Sequence, residues 1–83
     1  MDFVKKSIIS IVQNSVSEIY SDVKITGESH LVNDLGFDSI TLMQMVVEIE
    51  ETFDIEMDDA EYEDIIEIKA LIAYVKQKIN KET

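Results

Sequence analysis

A chain of 83 residues without cysteine is the size of one small domain, held by packing alone, with no disulfide and no thiolate metal site. Its 46% hydrophobic content excludes a disordered chain, and two glycines with no proline favour helices over a turn-rich β fold. Seven Lys against 18 acids leave a net charge of −11, and the 14 acids between Lys24 and Lys69 share that stretch with no Lys or Arg. Such a stretch repels phosphate backbones and excludes nucleic acid as a partner. It suits basic protein surfaces, which it attracts and steers, and it also keeps a small domain soluble.

The opening Met1-Asp2-Phe3-Val4-Lys5-Lys6 lacks the charged-then-apolar order of a signal peptide. No apolar run approaches the roughly 20 residues that span a bilayer. A cytoplasmic, monomeric protein is expected.

Phe3, Val4, Ile8, Ile11, Val12, Val16 and Ile19 recur at three- and four-residue steps, predicting one apolar stripe on a helix from about residue 3 to 20. Residues 24–38 have no sustained period and read as a long, partly packed loop. Val23, Ile25, Leu31, Val32, Leu35 and Phe37 are expected to dip into the core. Loops of this length are uncommon unless functional. An unbroken helical pattern follows, with Asp38 or Ser39 able to cap it through a short side-chain oxygen. Met45, Ile49 and Phe53 form its core stripe, while Ile40, Met43 and Val47 lie on a neighbouring face that need not be fully buried. A short helix over residues 60–65 and a last helix over 67–79 complete the pattern. Lys76, Lys78 and Lys81 lie where the last helix dipole favours cations. The expected fold is all-α: a small four-helix bundle of three long helices and one short one. Its long loop joins the first helix to the second.

The informative stretch is Leu31-Val32-Asn33-Asp34-Leu35-Gly36-Phe37-Asp38-Ser39-Ile40, where the loop ends in Gly-x-Asp-Ser at the mouth of a helix. A helix N-terminus offers unpaired N–H donors and the positive end of a dipole, so an anion attached to Ser39 is favoured there. Gly36 can take backbone angles closed to other residues. Asp38 places a carboxylate beside the hydroxyl, suited to a divalent cation brought in with a nucleotide-like donor. A nucleophilic serine needs a base within reach, usually a histidine with an orienting acid. The one histidine, His30, has no such neighbours in the sequence and reads as an ordinary loop residue. Ser39 therefore reads as a substrate for another enzyme, and no catalytic set or resident metal site can be assembled.

Two other readings weigh against this one. Asp54-x-Glu56-x-Asp58 resembles alternating calcium ligands, but the positions that an EF-hand fills with Gly and Glu hold Asp59 and Ile65. A helical interaction domain without a prosthetic group is the second alternative.

Asp34-Leu35-Gly36-Phe37-Asp38-Ser39-Ile40 resembles the Asp-Leu-Gly-x-Asp-Ser-Leu motif of acyl carrier proteins. The similarity continues through residues 46–57, an apolar helix ending in acids, a Phe and an apolar-acidic tail. It ends in residues 68–75, similar to the family's last helix with its apolar-x-x-Tyr-apolar close. The resemblance implies that a separate phosphopantetheinyl transferase, using magnesium, esterifies Ser39 with 4′-phosphopantetheine from coenzyme A. It further implies that Asp38 helps hold the metal in that step and that the arm's thiol carries an acyl or aminoacyl group. Loading and condensing enzymes with basic patches are the implied partners, meeting Ile40, Met43, Gln44, Val47, Glu50 and Glu51 on the helix that starts at Ser39. Ile40 stands where Leu is commoner, Thr41 and Gln44 where fatty-acid carriers often have acids, and Phe37 where they often have Ala. Met57-Asp58-Asp59 lacks a common Pro. These departures lean toward a polyketide, nonribosomal peptide or other specialised pathway, an aminoacyl or peptidyl carrier being the alternative to an acyl carrier.

Overall fold

The computed structural model describes residues 2–82. Four α-helices follow in order: α1 (Phe3–Ser15), α2 (Ser39–Phe53), α3 (Tyr62–Ile65) and α4 (Ile68–Glu82). α1 packs against both α2 and α4, and the four-residue α3 packs against α4. This is the small helical bundle that the sequence periodicity predicts, three long helices and a short one. Among the described residues no helix is long and apolar enough to cross a membrane.

Each helix starts and stops for a local reason. Asp2 caps α1, its Oδ1 accepting the Lys5 N–H at 3.0 Å. α1 ends at Ser15, five residues before the predicted end at 20, with Val16 and Ser17 in extended backbone. Asn14, Ser15, Val16 and Ser17 are all weak helix formers, and the Ser15 hydroxyl turns back to donate to the Ile11 carbonyl at 3.0 Å. The chain then makes one 3₁₀ turn over Glu18–Tyr20. Ile19 consequently leaves the predicted stripe and stands 87% exposed, and Phe3 at the other end is exposed as well. Asp54 stops α2 in the left-handed conformation (φ 54°, ψ 51°), its N–H donating to the Glu50 carbonyl. α3 begins at Tyr62, two residues later than predicted, where the Glu61 N–H donates to Asp64 Oδ2 at 2.9 Å. α4 runs on past the predicted end at residue 79.

Ile8, Leu31, Leu35, Met45, Ile49, Ile68, Leu71, Val12 and Val75 form the solvent-free centre of the core. Leu42, one turn before Met45, completes the buried stripe of α2, whereas Phe53 is only half-buried. Of the loop residues expected inside, Leu31, Leu35 and Phe37 are buried, Ile25 and Val32 half-buried, and Val23 exposed.

The loop is fixed by backbone pairing with the α3–α4 junction. Leu31 N–H donates to the Ile66 carbonyl at 2.8 Å, Ile68 N–H to the Ser29 carbonyl at 3.2 Å, and Lys69 N–H to the Gly27 carbonyl at 2.9 Å. An isolated antiparallel bridge, His30 to Glu67, lies at the centre of this contact. From there Asp34 and Leu35 N–H groups return to the His30 carbonyl, and Phe37 N–H to the Leu31 carbonyl at 3.0 Å, winding the chain toward α2.

Gly36 closes that turn at φ 72°, in the left-handed region, with the Tyr20 ring lying over it. A Cβ built on Gly36 falls 2.3 Å from Tyr20 Cε2, so alanine there must both strain the backbone and displace the ring. Gly36→Ala is expected to cost about 1–3 kcal/mol in urea denaturation. Tyr20→Ala, made in the same background, should remove the steric part and give a favourable coupling. Simple additivity of the two changes would show that the ring does not press on this position.

Candidate functional site

Ser39 is the first residue of α2 and is exposed, with exposed Asp38 before it in extended backbone (φ −101°, ψ −178°). Of the two caps that the sequence offers, Asp38 is the one used: its Oδ1 accepts the Thr41 N–H at 2.8 Å. That bond, then the Thr41 side chain, holds the Asp38 carboxyl below its ordinary value of 3.8, so it is ionised at neutral pH. The donors at this helix end are thus partly taken. A negative group at Ser39 would share the positive pole of α2 with Asp38.

His30 plays another part. Its Nδ1 accepts the Asn33 N–H at 2.9 Å, while its backbone N–H donates to Asp34 Oδ2 at 2.8 Å. Both bonds build the turn before Gly36. His30 is thus a structural member of the loop, as the sequence suggested. Among the described residues, no group of three or more His, Cys, Asp or Glu side chains could hold a metal ion.

Down α2 from Ser39 the structure separates two faces. Leu42, Met45 and Ile49 are buried, while Ile40, Met43 and Val47 are 67%, 69% and 49% exposed. Gln44 and Glu51 are exposed beside them, and these five predicted residues line one shallow surface groove with Glu48. Glu48 is the acid that sequence reasoning passed over; its position one turn past Gln44 was the available signal. Glu50 departs from its companions. It is half-buried, and its Oε2 accepts the Met57 N–H at 2.7 Å, across the stop of α2. A second groove, between α2 and α3, is lined by Leu42, Met43, Val46 and Val47 on one side and Met57, Ala60 and Ile65 on the other.

The lysines of α4 are turned to other tasks. Lys69 meets Glu28 at 2.9 Å, Lys76 meets Asp2 at 2.6 Å, and Lys78 meets Asp59 at 3.0 Å. The Tyr74 hydroxyl also donates to Asp59. Burial, followed by that carboxylate, pushes the phenol well above its ordinary range. These pairs fasten the loop, the N-terminus and the α2–α3 connection to α4, leaving Ser39 amid acid and apolar side chains.

The cap has a pH signature whose sign follows from the depressed pKa. Asp38 caps as a carboxylate, so its contribution is complete above the ordinary carboxyl value of 3.8 and fades as pH falls through the lower folded-state value. The Tm difference between the native protein and Asp38→Ala should stay level from neutrality to about pH 4 and shrink below it. A difference that persists undiminished in stronger acid would mean that the charge of Asp38 does not form the cap.

The surroundings of Ser39 have counterparts in known proteins. A family described as the phosphopantetheine attachment site matches residues 10–75. The acyl carrier protein of an Exiguobacterium species is 36% identical over 77 residues, covering 90% of this chain and 98% of that protein. That of Thermotoga maritima is 31% identical over 77 residues, covering 90% of this chain and 95% of its own. That of Cyanidium caldarium is 35% identical over 80 residues, covering 94% and 93%. With the helical bundle, the capped serine and these relatives on most of its length, the chain belongs to the acyl carrier protein family, whose prosthetic group is a covalent 4′-phosphopantetheine.

Proposed function

We propose that Ser39 is the attachment residue and that the chain carries acyl groups as thioesters between the enzymes of a cytoplasmic biosynthetic pathway. The observation that carries this reading is an exposed serine at the first position of a capped helix, in a chain whose single histidine is committed to a backbone N–H elsewhere. Such a hydroxyl is open to a partner enzyme and has no base of its own to make it a nucleophile.

The residues present fit the arm. Ser39 is exposed at the end of the loop that Gly36 and the Tyr20 ring close. Asp38, ionised and exposed, would supply a carboxylate oxygen to a divalent cation brought in with the pyrophosphate. In the attachment step Ser39 Oγ bonds to phosphorus, the pyrophosphate bond to the nucleotide half of coenzyme A breaks, and the hydroxyl proton passes to the transferase. Once attached, the arm supplies a terminal thiol that holds cargo as a thioester. The chain's part is then to present the arm: α2 fixes its root, and Ile40, Met43 and Val47 offer apolar contact beside it. Glu48 and Glu51 steer toward basic partner surfaces. Phe37 fills the core under the motif and the Thr41 side chain adds a second hydrogen bond to the Asp38 carboxylate, so both departures from the usual carrier pattern have structural work here.

Incubation with coenzyme A, magnesium and a broad-specificity phosphopantetheinyl transferase should add one arm, mapped to Ser39 by peptide mass. Ser39→Ala should fold and stay unmodified; an arm on that variant would move the site elsewhere. Glu51→Lys should slow loading by a basic partner up to about tenfold at low salt, with the effect fading as salt rises. Loading kinetics that do not change would remove this face from the recognition surface.

A further inference from the structure

Glu50 gathers an unusual share of the backbone around the end of α2. Its carbonyl receives the N–H groups of Asp54 and of Ile55, the latter at 3.1 Å, and its carboxylate receives that of Met57 at 2.7 Å. One residue thereby reverses the chain and lays residues 54–61 back along the bundle. Beyond that point the segment is fastened to α4 instead: Asp59 meets Tyr74 and Lys78, and α3 packs on α4. The groove between α2 and α3 has a volume of about 350 Å³. Leu42, Val46, Val47 and Glu50 line its α2 wall, and Met57 and Ala60 of the connection, with Ile65 of α3, line the other. Among the described residues, the Glu50–Met57 bond is the side-chain hydrogen bond that joins the two walls.

We infer that Glu50 is a latch: its carboxylate sets how far this segment stands from α2, and so how far the groove opens to the chain's own cargo. The role of the groove as a place for cargo rests on the carrier reading above; the latch itself does not. A carboxylate acceptor on a half-buried N–H is a strong hydrogen bond, yet it is a single one. Removing the acceptor leaves the Met57 N–H without its partner while the core stripe of α2 and the packing of α3 on α4 remain in place. The predicted motion is therefore local opening, not unfolding.

Three proteins test this: the native chain, Glu50→Ala, which has no acceptor, and Glu50→Gln, which keeps a neutral one. Amide hydrogen exchange on the unmodified proteins should show Met57 exchanging at least about tenfold faster in Glu50→Ala and within about threefold of native in Glu50→Gln. The amides of Met45 and Ile49 should not change. On protein carrying an octanoyl thioester at Ser39, hydroxylamine should cleave the thioester several-fold faster in Glu50→Ala than in the other two. Unchanged Met57 exchange, or a rise shared equally by Met45 and Ile49, would overturn the latch; unaltered thioester cleavage would overturn its control of the cargo. Failure to load Ser39 at all is a separate result, visible by mass; it would refute the carrier reading and leave the exchange data to decide whether Glu50 latches the segment.

Discussion

The backbone pairing of Ser29 and Leu31 with Ile66 and Ile68 is the constraint on which the working end of the molecule depends. Residues 16–38 make a long excursion between α1 and α2, and a free loop of that length would leave the start of α2 undefined. Two short antiparallel hydrogen bonds, with Lys69 N–H on Gly27 beyond them, pin the middle of the excursion to the junction that also orients α4. Buried Leu31, Leu35 and Phe37 then carry the pinned segment into the core, and Tyr20 closes over Gly36 from the other side. Asp38 and Ser39 are fixed in space because both flanks of the motif are held, even though neither residue is itself buried.

Charge is distributed with the same division. Three α4 lysines are each paired with an acid on a different part of the chain, so they act as fasteners between segments. The Lys69–Glu28 and Lys76–Asp2 pairs are exposed and contribute little alone, while Lys78 is partly covered where it meets Asp59. Their collective consequence is elsewhere: the acids of α2 stand with no cation of their own stretch to answer them. A surface of that sign, at −11 overall, repels its own copies and attracts basic partners over several ångströms.

Much of this was readable in the sequence where a local signal decided the matter. Asp38-Ser39 before an unbroken apolar period marked the start of α2 to within a residue, because a cap and a helical stripe are both short-range devices. The end of α1 was not readable in the same way. Val16 and Ile19 continue the helical spacing, but spacing alone does not weigh four successive weak helix formers, and the helix breaks at Ser15. The bridge at His30 and Glu67 leaves no side-chain pattern because it is made by backbone atoms far apart in sequence. Tyr20 over Gly36 and Glu50 on Met57 are likewise contacts that no periodicity connects, each joining a helical residue to a loop. Glu50 and Glu51 look alike in the sequence; one faces water and the other holds the chain together.

The two faces of α2 explain why its sequence carries more apolar residues than its packing requires. Leu42, Met45 and Ile49 satisfy the core, and a helix serving stability alone would be polar opposite them. Ile40, Met43 and Val47 instead face solvent, where each leaves apolar area in water at roughly 25 cal/mol per Å² that burial would recover. That area gains nothing in the free protein and is recovered when a partner covers it. The acids around it then have a second effect besides steering. They keep an apolar strip from meeting its like on another copy, so the strip stays available for surfaces of opposite charge. Under the proposed carrier role, apolar contact would supply the adhesion beside Ser39, and charge would decide whose surface is admitted to it.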